Sequence, residues 1–375
     1  MDTVVCHGLT IPRWAKTVLD RRYWDMSIDA HGQRGPVVLV GEPTEDWTGD
    51  STGDSTGDST GDWTGDARYH EYSAAADPVG SGAISRVPIE RFSASLHDGP
   101  GTRSIPLDLS EALGVGYPAT SPALLASFLV LDPGDTLLTI PDSTSELYFC
   151  LSGAGSSTFV RTDPGGPTTT GTIPWGIGDV ITLPSGCAAE HTAAPDSRSV
   201  LYRVTDAPLL AYLGVLPGRA AFAPTRYDAA TSAARLAEVE RHPDAASRSR
   251  VSILLGNTAL SQTLTITHTL WAMLGVLPVD RVQRPHRHQS VALDLIISCA
   301  PGCFTLVGTD IDSDGCIVDP VRVDWESGGA FVTPPGLWHS HHNESGAPAY
   351  LLPIQDAGLH TYLRSLDIRF TSAGA

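Results

Sequence analysis

Lysine is almost missing from this chain: Lys16 stands alone, and arginine supplies the rest of the 24 basic residues. We read that as the coding bias of a GC-rich genome, without functional meaning. Set against 42 acidic residues, it leaves a net charge of −18. So acidic a chain excludes nucleic acid and anionic membrane as default partners. No apolar run approaches the roughly 18 residues of a membrane-spanning helix. Residues 1–16 lack a charged segment followed by an apolar one, so no secretory signal is legible. Cys6, Cys150, Cys187, Cys299, Cys303 and Cys316 form no CxxC pair. The expectation is a soluble, cytoplasmic protein with reduced thiols. A GxSxG elbow, a phosphate-binding loop and a dinucleotide fingerprint are also missing, which removes the commonest hydrolase, NTPase and nicotinamide readings.

What is present points to β structure. A length of 375 residues fits about two domains. Glycine (37) and proline (28) are abundant, as many turns require. Eight acidic residues fall between Glu42 and Asp66 with no basic one among them. Five of them belong to a four-residue repeat running from Trp47-Thr-Gly-Asp50 to Trp63-Thr-Gly-Asp66. The repeat has few groups to bury against a backbone ordering cost of about 1–2 kcal/mol per residue, so a mobile insert over about 46–66 is expected. Its spacing matches no EF-hand or nonapeptide calcium loop.

Short apolar runs separated by Pro/Gly turns begin near residue 84. They cover 124–131, 146–151, 179–183 and 199–204, then 263–274, 291–298, 303–307, 330–333 and 349–354. Residues 228–241 read as a helix between the two sets, and 359–366 as a helical tail. The sets share a plan of proline turn, apolar strand, Gly-Asp or Gly-Gly strand ending in proline, and a later histidine. A duplicated small β-barrel explains the length and the pattern. The fold class is therefore all-β, with an irregular segment over 1–83, one barrel over 84–227, a linker helix over 228–250 and a second barrel over 251–375.

Two histidine clusters lie in the second unit: His286-Arg-His288, and His339-Ser-His341 followed by His342. Residues i and i+2 of a strand share a face, so His286 and His288 can both face a barrel interior. His339 follows the turn Pro334-Pro335-Gly336 and can return to the same mouth. A lone HxH is more often a chance pair on a surface strand. Joined to a proline turn and a second cluster, it reads as a metal site. Three neutral imidazoles suit Fe(II), and also Mn, Ni, Cu or Zn. His7, His97, His268 and His360 stand alone and read as structural.

Pro285-His286-Arg287-His288 with Ala292 resembles the first metal motif of the cupin superfamily. The run from Gly328 through Pro334-Pro335-Gly336-Leu337-Trp338-His339-Ser340-His341 to Asn343 resembles the second. Together they are similar to the gentisate 1,2-dioxygenase-like group of bicupins. The resemblance covers about 84–370, its specific motifs about 283–356. It implies two jelly-roll barrels and Fe(II) held by His286, His288 and His339. It also implies a homo-oligomer that uses O2 to cleave a small aromatic substrate. His341 matches a histidine that contacts substrate in that group, with a solvated loop residue as the alternative. The cupin glutamate is absent, as in the three-His subgroup, and His342 has no counterpart.

Three departures are visible. Where the group carries a carboxylate-binding arginine, this chain has Asp294, which by strand parity faces inward. It would favour an amine or a hydroxyl, unless it is spent in an internal salt bridge with Arg281, Arg284 or Arg322. The group's substrate-contacting glutamine falls on Leu274, and an aspartate of its second motif falls on Pro353, with Asp356 nearby. The metal motif also sits in the second barrel instead of the first. In the first barrel the HxH positions become Ile140 and Asp142, or Thr139 and Pro141. Asp142, Glu146 and His191 form a possible residual site there, with a structural barrel preferred. The expected activity is a three-His, extradiol-type Fe(II) dioxygenase. Its substrate is a small hydroxylated or aminated aromatic other than gentisate, and His341 and Asp294 serve catalysis. The alternatives are a tailoring oxidation or isomerisation on the same site, or a non-catalytic small-molecule-binding cupin.

Overall fold

The computed structural model describes residues 3–6, 9–12, 64–162, 166–248 and 251–371. It divides into two compact units, Met1–Ile84 and Ser85–Ala375. The smaller unit carries an antiparallel hairpin of Thr3–Cys6 with Leu9–Pro12, and a short helix at Tyr72–Ala75. These elements stand in a segment expected to be irregular. The hairpin follows from the β-branched Val4, Val5, Thr10 and Ile11. The acidic repeat lies outside the described residues as far as Trp63.

The larger unit contains two pairs of antiparallel sheets. In the first pair, six strands run in the order Thr225–Tyr227, Val180–Pro184, Ser145–Ser152, Ser199–Thr205, Leu125–Leu131 and Arg103–Pro106. Its second sheet has the order Thr136–Thr139, Cys187–Ala193, Ala154–Thr162 and Thr168–Gly176. In the other pair, six strands run Val251–Leu254, Trp271–Leu277, Ala349–Gln355, Ala292–Ser298, Ala330–Thr333 and Arg91–Phe92. Its companion runs Val321–Asp324, Cys303–Gly308, Trp338–Asn343, His286–Arg287 and Arg369–Phe370, with Arg281–Val282 also on Trp338–Asn343. The segment that leads into each sheet pair bonds to the other pair. Arg91–Phe92 pairs with Ala330–Thr333, and Thr225–Tyr227 pairs with Val180–Pro184.

Alternation of side chains along these strands produces separate cores. Tyr148, Phe159, Trp175 and Ile181 fill the first barrel, and Ile296, Val323, Trp325 and Phe331 the second. The opposite faces of both six-stranded sheets share one larger core. Phe128, Leu147, Tyr202 and Val204 meet Leu293, Leu295, Val332 and Leu352 there. A twelve-residue helix, Ala229–Glu240, stands between the two sheet pairs in sequence and is capped by Asp228, which accepts from the Thr231 amide.

The duplication is visible residue by residue at one constant spacing. Trp175, Gly178, Pro184, Gly186, His191 and Asp206 recur as Trp325, Gly328, Pro334, Gly336, His341 and Asp356. Gly178 and Gly328 have φ of +84° and +80°, and Gly186 and Gly336 +78° and +77°. These turns need the left-handed region that a side chain opposes. Asp206 and Asp356 then precede the matching helices Ala207–Leu213 and Ala357–Leu363.

One expected strand differs. Residues 263–270 form no ladder, and the strand runs instead over Trp271–Leu277. Leu264 has φ of +57°, which breaks an extended run. The alternating threonines reach elsewhere: Thr269 Oγ1 donates to Asp206 Oδ2 at 3.1 Å, while Ile266 and Leu270 enter the shared core.

Candidate metal centre

The motif strand His286–Arg287 is only two residues long, but both of its neighbours hold it in register. On one side His286 stands opposite His339, and on the other opposite Phe370. His286, His288 and His339 are 3%, 4% and 2% exposed, so three imidazoles sit in an environment that penalises unpaired polarity. One ring nitrogen from each lies within 4.8 Å of the others.

Hydrogen bonds set the proton on each ring. His286 Nδ1 lies 3.0 Å from the Arg284 carbonyl, His288 Nδ1 2.8 Å from the Ser290 carbonyl, and His339 Nδ1 3.1 Å from the Leu337 carbonyl. A carbonyl only accepts, so each Nδ1 carries hydrogen, and in the neutral ring each Nε2 carries the lone pair. Orientation by a hydrogen bond at the non-ligating nitrogen is the usual support of metal-bound histidine. The donor set therefore fits a divalent metal ion: three neutral nitrogen donors in one place, with fixed tautomers. Fe(II), Mn, Ni, Cu and Zn all accept such donors.

Behind the ligands are further restraints. Ser290 Oγ is 3.0 Å from His288 Nδ1 and donates to Gln355 Oε1 at 3.0 Å. The Val291 amide donates to Asp356 Oδ1 at 2.9 Å. Asp356 is buried, and that burial pushes its carboxyl up to about 7 against the opposing Val291 hydrogen bond. Phe370 stacks on His286 with ring centroids 5.2 Å apart and 16° between planes.

A cavity of about 230 Å³ opens beside the cluster. Gln283 and His341 line it, with Met273, Leu277, Leu351 and Pro353 as apolar wall and Glu240, Arg248 and Arg281 as charged members. Gln283 Nε2 is 3.5 Å from His286 Nε2. The ring of His341 lies 6.0 Å from that of His286 and 5.8 Å from that of His339. Its Nδ1 is 2.8 Å from Thr305 Oγ1, which accepts from Trp325 Nε1 at 2.8 Å.

Asp294 is placed differently from these histidines. It is 1% exposed, and Thr333 Oγ1 donates to its Oδ2 at 2.7 Å. Register sets it between Phe331 and Pro353, so it shares the barrel-facing side with Phe331. It is not among the residues that line the cavity, though its strand partner Pro353 is. The strand parity that joined it to His288 does not run continuously, because the chain bends at Gln289 and Ser290 before the strand Ala292–Ser298 begins. Of the arginines considered as partners for it, Arg281 lines the cavity, and Arg322 donates to Asp324 and lies over the Phe304 ring.

The first barrel resolves an open register. Thr139 pairs with Ala189, as His286 pairs with His339, so the ligand positions there are Thr139, Pro141 and Ala189. The acids and histidine of the considered residual site are consumed internally. Glu146 accepts from Arg203 Nη2 at 3.0 Å and from the Tyr148 hydroxyl, and Arg203 also meets Asp142 at 3.5 Å. His191 bonds Ser157 and Thr139 through its two nitrogens. Burial, then the charge of Arg203, lowers its imidazole to about 3, so it is neutral.

No local spacing in the sequence marks Gln283, Thr305, Trp325, Gln355 or Phe370 as part of the site. The recurrence of Trp175 as Trp325 in front of matching glycines was the available signal for one of them. The resemblance had set a glutamine counterpart at Leu274, whose side chain packs against the shared core, whereas Gln283 stands at the cluster.

No protein-family model matches the chain. Gentisate 1,2 dioxygenase 1 of Aquipseudomonas alcaligenes is 29% identical over 96 residues, 26% of this chain. The match spans about a quarter of that relative's length, 24%. The salicylate 1,2-dioxygenase of Pseudaminobacter salicylatoxidans superposes with a TM-score of 0.58 at 16% identity, over 76% of this chain and 88% of that one. Its adduct with gentisate superposes with a TM-score of 0.60 at 13% identity, over 81% and 91%. The fold is a bicupin. Its three-His cluster lies in the C-terminal barrel, and its architecture is that of structures of aromatic-ring dioxygenases. Among the described residues no helix of this bicupin is long and apolar enough to cross a membrane.

Proposed function

We propose that this bicupin is a non-haem Fe(II)-dependent, ring-cleaving dioxygenase of the extradiol type, for a small hydroxylated or aminated aromatic substrate other than gentisate. One observation carries the reading: three buried histidines, each with Nδ1–H tied to a carbonyl, converge beside a cavity of about 230 Å³, the scale of a single substituted ring. His286, His288 and His339 are the ligands. Those residues would hold Fe(II), which when bound would supply redox-active Lewis-acid chemistry toward a chelating substrate and dioxygen. The apolar wall of Met273, Leu277, Leu351 and Pro353 holds the ring and excludes water. Gln283 orients a polar substituent, and His341 hydrogen-bonds a substrate oxygen. Asp294, in register beside Pro353 of that wall, would as a carboxylate disfavour a second anionic group on that side of the substrate.

The test is oxygen consumption by anaerobically Fe(II)-loaded protein with aminophenols, hydroxyanthranilates, salicylates and gentisate. Consumption with a ring carrying adjacent donor groups, and a product heavier by two oxygen atoms, is the expected result. An unchanged product mass would assign isomerisation instead. Tight binding without turnover at full iron loading would make the protein a carrier.

A further inference from the structure

The hydrogen inventory around His341 places its proton. Trp325 Nε1–H can only donate, and it donates to Thr305 Oγ1 at 2.8 Å. Thr305 is fully buried, and its one hydroxyl hydrogen has His341 Nδ1, 2.8 Å away, as its acceptor. His341 Nδ1 is therefore the accepting nitrogen, and in the neutral ring Nε2 carries the hydrogen. That is the reverse of the three ligand histidines, whose Nδ1 atoms face carbonyls.

The first barrel repeats the arrangement independently. Trp175 Nε1 donates to Ser157 Oγ at 2.9 Å, and Ser157 Oγ lies 2.8 Å from His191 Nδ1. His191 Nε2 is then the donor to Thr139 Oγ1 at 3.1 Å, and Thr139 holds the register position of His286. The relay is thus a property of the barrel, retained where the ligands themselves are Thr139, Pro141 and Ala189. In the first barrel it turns the histidine Nε2–H toward the residue at the His286 position, and in the second the His341 ring lies 6.0 Å from that of His286 and 5.8 Å from that of His339.

We propose that Trp325 and Thr305 are positioning residues that lock His341 in its Nε2–H tautomer. This makes His341 a hydrogen-bond donor to an oxygen of the cavity's ligand and excludes it as a fourth metal ligand. The inference rests on the metal-site reading for its purpose, but the tautomer itself is a property of the metal-free protein.

The experiment is long-range 1H–15N correlation spectroscopy of full-length, metal-free protein labelled at histidine nitrogen, under conditions where histidine is neutral. The His341 signals are those lost in His341→Gln. A protonated Nε2 and a bare Nδ1 are expected, and the opposite pattern overturns the proposal. Thr305→Val should abolish the single tautomer, and Thr305→Ser should restore it; an unchanged Nε2–H pattern in Thr305→Val overturns the proposal. With iron loaded, Thr305→Val should retain metal at wild-type stoichiometry while oxygen consumption falls at least about tenfold in kcat. Loss of the metal instead would show that Thr305 serves only the ligands and would also overturn it. If no substrate supports oxygen consumption, the proposed reaction fails while the tautomer result stands or falls by itself.

Discussion

A histidine offers two nitrogens, and what each one faces decides its chemistry. In His286, His288 and His339 the backbone takes Nδ1–H, and one ring nitrogen of each converges with the others within 4.8 Å. His339→Ala should abolish stoichiometric iron binding, read by elemental analysis of the purified protein; full iron content in that variant would refute the ligand assignment. Asp356 is a second residue whose surroundings set its state. Its folded value is raised by burial to about 7, above the ordinary 3.8. Between these values the unfolded chain releases a proton that the folded chain keeps, so its contribution to stability is lost as pH rises through that window. Urea midpoints of the wild type should fall relative to those of Asp356→Asn from pH ~4 to ~7 and then run parallel. In the first barrel, Arg203 is opposed by burial, but Glu146, then Tyr148 and Asp142, outweigh that and push its guanidinium up. Arg203→Ala leaves Glu146 buried without its partner and should cost about 3–5 kcal/mol by denaturant unfolding.

At the scale of elements, the ligand strand is too short to hold itself. His286–Arg287 depends on Trp338–Asn343 on one side and Arg369–Phe370 on the other, with the Thr371 amide donating to the Pro285 carbonyl at 3.0 Å. A truncation ending at Leu366 removes that outer strand and the Phe370 ring. Metal affinity should drop roughly tenfold, the loss typical of removing support around a ligand, with far-ultraviolet circular dichroism little changed; unaltered affinity would show that the tail is a bystander. Much at this scale was legible. The HxH, the proline turn and the second histidine cluster sit close enough in sequence for strand parity to join them. The Trp–hydroxyl–His relay was not legible, because Thr305 and His341 come from neighbouring strands, Trp325 directly follows a third, and they meet only in the folded sheet. Asp294 faces the barrel as parity predicts, between Phe331 and Pro353, although a bend of two residues separates its strand from the ligand pair.

In the larger unit, one core joins both barrels. Leu293 and Leu295 point away from the metal barrel's interior and pack with Phe128, Leu147 and Tyr202 of the other. Leu293→Ala should cost about 2–5 kcal/mol and lower a single calorimetric transition, not split it. Added metal should raise that same transition by mass action on the folded state. Two separated transitions would show that the barrels unfold independently. The exchange of Arg91–Phe92 and Thr225–Tyr227 between sheet pairs supports the same coupling.

The amino-acid order alone determined the β class, the duplication, the three histidines and the barrel that holds them, because these are written in local spacing and strand period. Tertiary structure alone decided which first-barrel residues stand at the ligand positions, which nitrogen of each histidine carries hydrogen, and that Asp294 stands between Phe331 and Pro353 on the barrel-facing side. Those facts depend on register between strands distant in sequence and on donors and acceptors that meet only in the folded interior, where each buried hydrogen must find a partner.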